Sequence, residues 1–115
     1  MKYALLIFRQ PDDYAQLSED EVTAVSTEYT TLQSDERVLD GAALKAAETA
    51  TTLRVRDGRT LTTDGPFADT KEVFGGYYVV EAGNLDEALE LAARIPALRM
   101  GGAVEVRPVL MAMTR

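Results

Sequence analysis

Residues 75–96, GGYYVVEAGNLDEALELAARIP, place a strand directly before a capped helix, and the rest of the fold is built around this unit. The segment Tyr77–Glu81 is aromatic and β-branched, a composition typical of a central strand. Asn84 and Glu87 form a variant of the capping box, which satisfies free amides at a helix start. The helix is predicted to stop before Pro96, which cannot continue a helical hydrogen-bond ladder. Its predicted apolar face consists of Leu85, Ala88, Leu89, Ala92 and Ile95.

The N-terminal third repeats the order of strand and then helix. Tyr3–Phe8 is a continuous apolar run that predicts a buried strand, although at this length periodicity alone does not distinguish it from a buried helix. Ser18–Glu21 is a capping box, and it predicts a helix start. The apolar residues that follow at helical spacing are Val22, Val25, Tyr29 and Leu32. Arg37–Gly41 is interpreted as a second short strand. Ala42–Ala50 is rich in alanine and helical by propensity, but it is interpreted as a loop because neither end carries a capping signal.

A β-hairpin is predicted in the middle of the chain. Thr52–Arg56 and Arg59–Thr63 alternate, and Asp57-Gly58 between them is a residue pair typical of a type I′ turn. Two-residue closure places Arg56 beside Arg59 and leaves an arginine cluster on an exposed face.

The predicted order is therefore β-α-β-hairpin-β-α-β, with a last strand at Ala103–Arg107. Without the inserted hairpin this is the βαββαβ arrangement of ferredoxin-like α+β proteins. We expect a single domain over residues 1–115. Two helices cover one face of such a sheet, and the apolar side chains of the other face need a partner, so we expect a homodimer in which two sheets pack face to face.

The composition excludes several classes of chemistry. The 115 residues include no Cys, no His and no Trp, which removes thiol nucleophiles, Ser-His-Asp catalysis and imidazole metal sites. Acid–base work falls to Asp, Glu, Lys or Tyr, and hard-cation binding by carboxylates stays open. No cofactor or metal site is expected.

The net charge of the chain indicates which partners it can have, and its hydropathy indicates its location. Twelve Lys and Arg against nineteen Asp and Glu give a net charge of −7, which disfavours nucleic acid and anionic membrane surfaces as partners. The apolar run Tyr3–Phe8 is too short for a signal peptide or a membrane span, so we expect a cytoplasmic protein.

The segment Asp64-Gly-Pro-Phe-Ala-Asp-Thr-Lys-Glu72 is distinctive. Together with 1–3, 51–58, 75–78, 86–96 and 102–108, it resembles the YCII-related family, in particular the branch named for its DGPF motif. The resemblance covers nearly the whole chain and implies a dimeric ferredoxin-like α+β barrel. Proteins of this family are described as enzyme candidates, in one branch through a His–Asp pair that a chain without His cannot form. Members of the DGPF branch often accompany extracytoplasmic-function sigma factors, which implies a signalling context.

The loop after the hairpin is the candidate site. Pro66 restricts Gly65, and Phe67 is expected to anchor the loop in the core. A rigid loop of this kind can carry acid–base groups, for which Asp64 and Asp69 are the candidates. Tyr77 and Tyr78 are expected on opposite faces of their strand, one toward the helices and one toward the dimer cavity. The candidate ligand-binding residues are Phe67, Lys71, Glu72, Tyr78, Tyr3 and Arg107.

Each candidate also has a purely structural interpretation. Asp64 would bind loop amides, Lys71 and Glu72 would be solvated, and the tyrosines would be core and interface residues. Three functions follow: a cofactor-independent enzyme using carboxylates on a small metabolite, a non-catalytic regulatory or metabolite-sensing module associated with a sigma factor, or a structural dimer without a pocket. The sequence does not choose among them.

Overall fold

A computed structural model of the chain describes residues 1–68 and 70–113. Its helices and strands follow the predicted order, with two short 3-10 helices at Ala47–Thr49 and Pro96–Met100. They are β1 (Lys2–Arg9), α1 (Glu19–Gln33), β2 (Val38–Ala43), β3 (Thr51–Arg56), β4 (Arg59–Asp64), β5 (Val73–Glu81), α2 (Leu85–Ala92) and β6 (Ala103–Pro108).

Four strands form one antiparallel sheet in the order β2-β5-β1-β6. This is the ferredoxin-like α+β arrangement, and the prediction of that fold class is confirmed. Strands β3 and β4 form a separate two-stranded sheet. Arg56 pairs with Arg59 as expected, and both turn residues, Asp57 and Gly58, have positive φ as a type I′ turn requires.

The core lies between the sheet and the two helices. Alternate residues of β1 point into it, so Tyr3, Leu5 and Ile7 are buried while their neighbours are half-exposed. The residues that cover them from the helical side are Val25, Leu32, Ala88, Leu91, Ala92, Ile95 and Ala97. The capping box of α1 is present, with Ser18 Oγ accepting from the Glu21 amide at 3.1 Å.

Helix α2 is shorter than predicted. It ends at Ala92, and Ile95 has extended backbone angles because the residue before a proline is excluded from the α region. Leu91 is fully buried, whereas Leu89, which was assigned to the apolar face, is 46% exposed. Pro96 does more than end the helix, because it opens the following 3-10 turn.

The prediction of a loop over Ala42–Ala50 is wrong in two places. Ala42 and Ala43 belong to β2, where they pair with Tyr77 and Gly76, and Ala47–Thr49 form a 3-10 turn. Hydrogen bonding to the edge of β5 outweighs the low intrinsic strand preference of alanine.

The sheet face opposite the helices is uncovered in the single chain. Leu6 is paired with Tyr77 at its centre, and Phe8 lies 5.5 Å from Phe74 between ring centroids. The chain exposes 8357 Å², whereas a compact monomer of its mass exposes about 6,200 Å². Its radius of gyration is 16.0 Å, against about 13 Å for a compact chain of this length. The subunit therefore has far more surface than its size requires.

Candidate ligand cavities

The DGPF turn is held by hydrogen bonds at the base of the hairpin. Asp64 is the exposed last residue of β4. The Gly65 amide donates to the Ala50 carbonyl at 2.7 Å, and its carbonyl accepts from Thr52 Oγ1 at 2.7 Å. Gly65 has a φ of +102°, which side chains of L residues rarely adopt. The motif therefore closes the open end of the hairpin by joining the base of β4 to the base of β3.

Phe67 does not anchor this loop in the core, so that expectation is wrong. Its side chain is 70% exposed, and the Arg54 guanidinium lies 4.4 Å from its ring centroid. The hairpin forms its own sheet away from the helices. No hydrophobic core therefore lies next to the following loop, and Phe67 packs against Arg54 instead. This cation–π pair is an exposed one.

The other candidate site residues of this loop do not form a cluster in the structure. Lys71 is exposed, and Glu72 accepts from Gln10 Nε2 at 3.4 Å. Asp69 lies outside the described residues.

Tyr3 and Arg107 are on opposite faces of the sheet. Tyr3 pairs with Pro108 and is buried in the core, where its hydroxyl lies 3.8 Å from Met1 Sδ. Arg107 pairs with Ala4 and extends to Glu105, with Nε 3.1 Å from Oε2. The structure does not bring these two side chains together.

The expectation that Tyr77 and Tyr78 face opposite sides is confirmed. Tyr77 lies on the uncovered face, and Tyr78 is buried under α1, where its hydroxyl accepts from Gln33 Nε2 at 3.1 Å. Tyr78 has room there because Gly41 faces it from β2. A Cβ on Gly41 would lie 2.6 Å from Tyr78 Cδ1 and 2.7 Å from the Tyr77 carbonyl oxygen.

A cavity of about 650 Å³ lies between α1 and the edge formed by β2 and β5. Five polar side chains converge on it from different parts of the chain. They come from the end of β1, the turn after it, two positions on α1, and β5: Arg9, Tyr14, Tyr29, Gln33 and Tyr78. We call it the phenol cavity.

Arg9 has a fixed position at the end of the phenol cavity. Its Nε donates to Asp13 Oδ2 at 3.0 Å and its Nη2 to Oδ1 at 2.5 Å, and its guanidinium lies 4.6 Å from the Tyr14 ring centroid. The Asp13 side chain is only 4% exposed. Gly75, the bulged residue of β5, makes room for Arg9, since a Cβ there would lie 2.7 Å from Arg9 Cδ.

The phenols of Tyr14 and Tyr29 have raised pKa values in this cavity. Burial raises the pKa of Tyr29 to about 12. Burial also raises the pKa of Tyr14, against the opposing effect of the nearby Arg9 charge. Both hydroxyls therefore keep their protons and act as hydrogen-bond donors.

A second cavity, of about 540 Å³, shares Arg9 and Tyr14 with the phenol cavity. The turn after β1 and the 3-10 turn at Ala47–Thr49 form its walls, together with Pro66 and Thr70 from the DGPF segment. Of the predicted site residues that the structure describes, Tyr78 lines the phenol cavity. None of the others lines either of the two cavities, including Asp64.

The family model for the YCII-related domain matches residues 1–112 of this chain. The chain belongs to the YCII-related family. Among its relatives is an uncharacterised protein of Rhizobium meliloti (strain 1021), 33% identical over 114 residues, an alignment that covers 95% of this chain and 92% of the relative.

Sequence reasoning missed most of the polar lining of the phenol cavity in this YCII-related chain. It assigned Tyr29 to the core face of α1 and did not single out Arg9, Tyr14 or Gln33. One local signal was present, because Arg9 and Asp13 are four residues apart around a turn and can form an ion pair. The side chains that α1 contributes to the cavity meet the others only in the folded protein, and no local sequence pattern predicts this.

Within residues 1–68 and 70–113, no three carboxylates are grouped so that they could hold a metal ion. None of the helices in that part of the chain has the length and apolar character needed to cross a bilayer.

Proposed function

We propose that this YCII-related protein is a homodimer that binds a small organic molecule in the phenol cavity. The observation that carries the proposal is the convergence of Arg9, Tyr14, Tyr29, Gln33 and Tyr78 on one space of about 650 Å³. Ligand sites are typically clefts of about 300–1,000 Å³ with a few convergent polar groups.

Two glycines support this interpretation. Gly41 and Gly75 leave room for Tyr78 and Arg9, respectively, and a Cβ at either position would come closer than 3.0 Å to the side chain concerned. Both polar groups are thus held by close packing against backbone rather than left to move in solvent, which lowers the entropic cost of ligand binding.

The dimer is proposed from the surface of the subunit. The chain exposes 8357 Å², roughly 2,200 Å² more than a compact monomer of its mass. A standard interface takes about 800 Å² from each partner. On the uncovered face of the sheet, Leu6, Phe8, Phe74, Tyr77 and Val79 form an apolar patch along the β1–β5 pairing, and Glu105 and Arg107 of β6 lie at its border. A second copy of the same face is the matching partner, because a twofold axis pairs a surface with itself.

The geometry favours binding over proton transfer by carboxylates. Asp64 lines neither of the two cavities, and Asp40, which lines the phenol cavity, is exposed and accepts from the Gly41 amide at 2.8 Å. A carboxylate in that setting is solvated and hydrogen-bonded, which is a poor starting point for a strong general base.

The test is a thermal-shift screen of a small-molecule library, combined with native mass spectrometry for a co-purified ligand. Thr30 lines the cavity from α1, so the bulky side chain of Thr30→Trp should obstruct it and abolish the stabilisation by the hits. Thr31→Trp is the matched control, because Thr31 is also exposed on α1, makes the same kind of bond to the carbonyl four residues earlier, and does not line the cavity. Hits that survive in Thr30→Trp, or a screen without hits, would refute the proposal.

A further inference from the structure

The polar groups of the phenol cavity have hydrogen-bond donors to spare. The Tyr78 oxygen accepts a hydrogen bond from Gln33 Nε2, so its own O–H is free to donate to a ligand. Arg9 uses Nε and Nη2 on Asp13, and its Nη1 donates to no protein group in the described part of the chain. The Tyr14 and Tyr29 phenols carry further protons. The cavity therefore offers donors from three or four directions.

Charged acceptors are few in the same space. Asp40 is the carboxylate that lines it, and this side chain is exposed and accepts from the Gly41 amide through Oδ1, whereas Asp13 is occupied by Arg9 and does not line this cavity. A cationic ligand would have this one solvated carboxylate to replace its hydration shell and would meet the Arg9 charge. An anion would find phenol donors and one guanidinium edge, and charge-assisted hydrogen bonds of this kind are about twice as strong as neutral ones.

The walls add a requirement of shape. Gly41, Gly75 and Gly76 line the cavity on the sheet side with bare backbone, and the aromatic rings of Tyr14, Tyr29 and Tyr78 form much of the remainder. Flat surfaces of this kind favour flat ligands, since aromatic rings pack best in stacked or edge-on contact.

We infer that the phenol cavity selects small planar carboxylates, aromatic or conjugated, whose carboxylate accepts from the Tyr78 hydroxyl and Arg9 Nη1. The inference rests on the proposed binding function and adds the class of ligand. It requires no rupture of the Arg9–Asp13 pair, because the unused edge of the guanidinium provides the contact.

Three probes of equal size test the class of ligand: benzoate, benzamide and benzylamine. Each is titrated into ¹⁵N-labelled protein at pH 7 while the amides of Gly41, Gly75 and Gly76 and the side-chain amide of Gln33 are followed by NMR. Benzoate should bind at least tenfold more tightly than the other two. Tyr78→Phe should weaken benzoate about tenfold, the typical effect of one hydrogen bond to a charged group, and leave benzamide less affected. Tyr3→Phe makes the same change at a buried tyrosine that lines neither cavity, and as the matched control it should leave all three unchanged.

Arg9 needs a paired design because Arg9→Gln leaves the buried Asp13 carboxylate without its partner and could prevent folding. Arg9→Lys keeps a charge for Asp13 but lacks the second donor edge, so the protein should still fold while its affinity for benzoate falls. If Arg9→Lys binds benzoate as the wild type does, the contact to Nη1 is refuted.

The outcomes separate the two proposals. Equal affinity for the three probes, tighter binding of benzylamine, or no response to benzoate overturns the assignment to carboxylates. In each of these cases the binding function still stands if library hits are lost in Thr30→Trp and retained in Thr31→Trp. Hits that survive Thr30→Trp overturn the binding function itself.

Discussion

Gly41 and Tyr78 face each other across the β2–β5 pairing with no space for a side chain on the glycine. A Cβ there would lie 2.6 Å from the Tyr78 ring and 2.7 Å from the Tyr77 carbonyl oxygen, closer than real Cβ contacts. We predict that Gly41→Ala destabilises the protein by about 1–3 kcal/mol, the usual cost of overpacking, and weakens any ligand that contacts Tyr78. Urea unfolding measures the first effect. Gly83→Ala is the control, because its new Cβ would meet only the end of the flexible Glu87 side chain, and an equal loss in both variants would contradict the packing argument.

The uncovered face of the sheet predicts the assembly state. Leu6 lies at its centre, paired with Tyr77 on one side and Glu105 on the other. We expect the wild type to sediment as a dimer at micromolar concentration and Leu6→Lys to sediment as a monomer or to lose solubility, because burying the new ammonium in that interface costs more hydration than one ion pair with Glu105 recovers. Leu89→Lys makes the same chemical change at an exposed site on α2 and should remain a dimer. A monomeric wild type would refute the predicted face-to-face packing.

Asp35 joins three parts of the structure and makes stability depend on pH. Its carboxylate accepts from Arg37 at 2.8 Å and from Arg94 at 3.0 Å. The hydrogen bonds from Arg37 hold the pKa of Asp35 well below its usual value of 3.8. Because the pKa is lowered in the folded state, the stabilisation is complete above pH 3.8 and is lost as pH falls toward the folded pKa.

The variant Asp35→Asn should therefore be less stable than the wild type at pH 7, and the difference should shrink below about pH 4. Urea unfolding at pH 7, 5 and 3 measures it, within the range in which the wild type stays folded. Glu36→Gln changes an exposed neighbouring carboxylate and serves as the control. A difference that stays constant from pH 7 to pH 3 would show that the ion pairs are not its source.

Truncation of Phe67 should cost much less stability than truncation of Leu5. Phe67→Ala removes an exposed ring that contacts Arg54, so we expect a loss of less than about 1 kcal/mol. Leu5→Ala removes a fully buried side chain from the centre of β1, and we expect a loss of about 2–5 kcal/mol. Equilibrium unfolding of both variants checks this. A large loss of stability for Phe67→Ala, measured on monomeric protein, would instead support the predicted role of Phe67 as a core anchor.

Local signals in the sequence predicted local structure well. The capping box at Ser18 and the turn at Asp57-Gly58 are set by hydrogen bonds and backbone angles within a few residues, and both occur as expected. The boundary of α2 was missed because Pro96 constrains Ile95, a neighbour effect that the apolar periodicity conceals. The extension of β2 through Ala43 depends on the edge of β5, which lies more than thirty residues away.

The candidate site was harder to predict for the same reason. The phenol cavity takes Arg9 from the end of a strand, Tyr29 and Gln33 from a helix, and Tyr78 from a second strand. Their meeting depends on the order of strands in the sheet and on the position of α1, neither of which is encoded in a short motif. The DGPF segment was predicted as the site because its residues are contiguous in the sequence. In the structure, Gly65 of this segment has the task of holding the two strands of the hairpin together at the base.

That task has a mechanical consequence. The amide of Gly65 bonds to the Ala50 carbonyl and its carbonyl accepts from Thr52, so the two strands are joined at the base and form one rod about 20 Å long from there to the Asp57-Gly58 turn. A change of about 10° in the direction of one strand at the base would carry the far end through roughly 3 Å. A substitution at Gly65, whose φ is +102°, should therefore act at a distance and displace the arginines near the tip, while the four-stranded sheet and the helices keep their places.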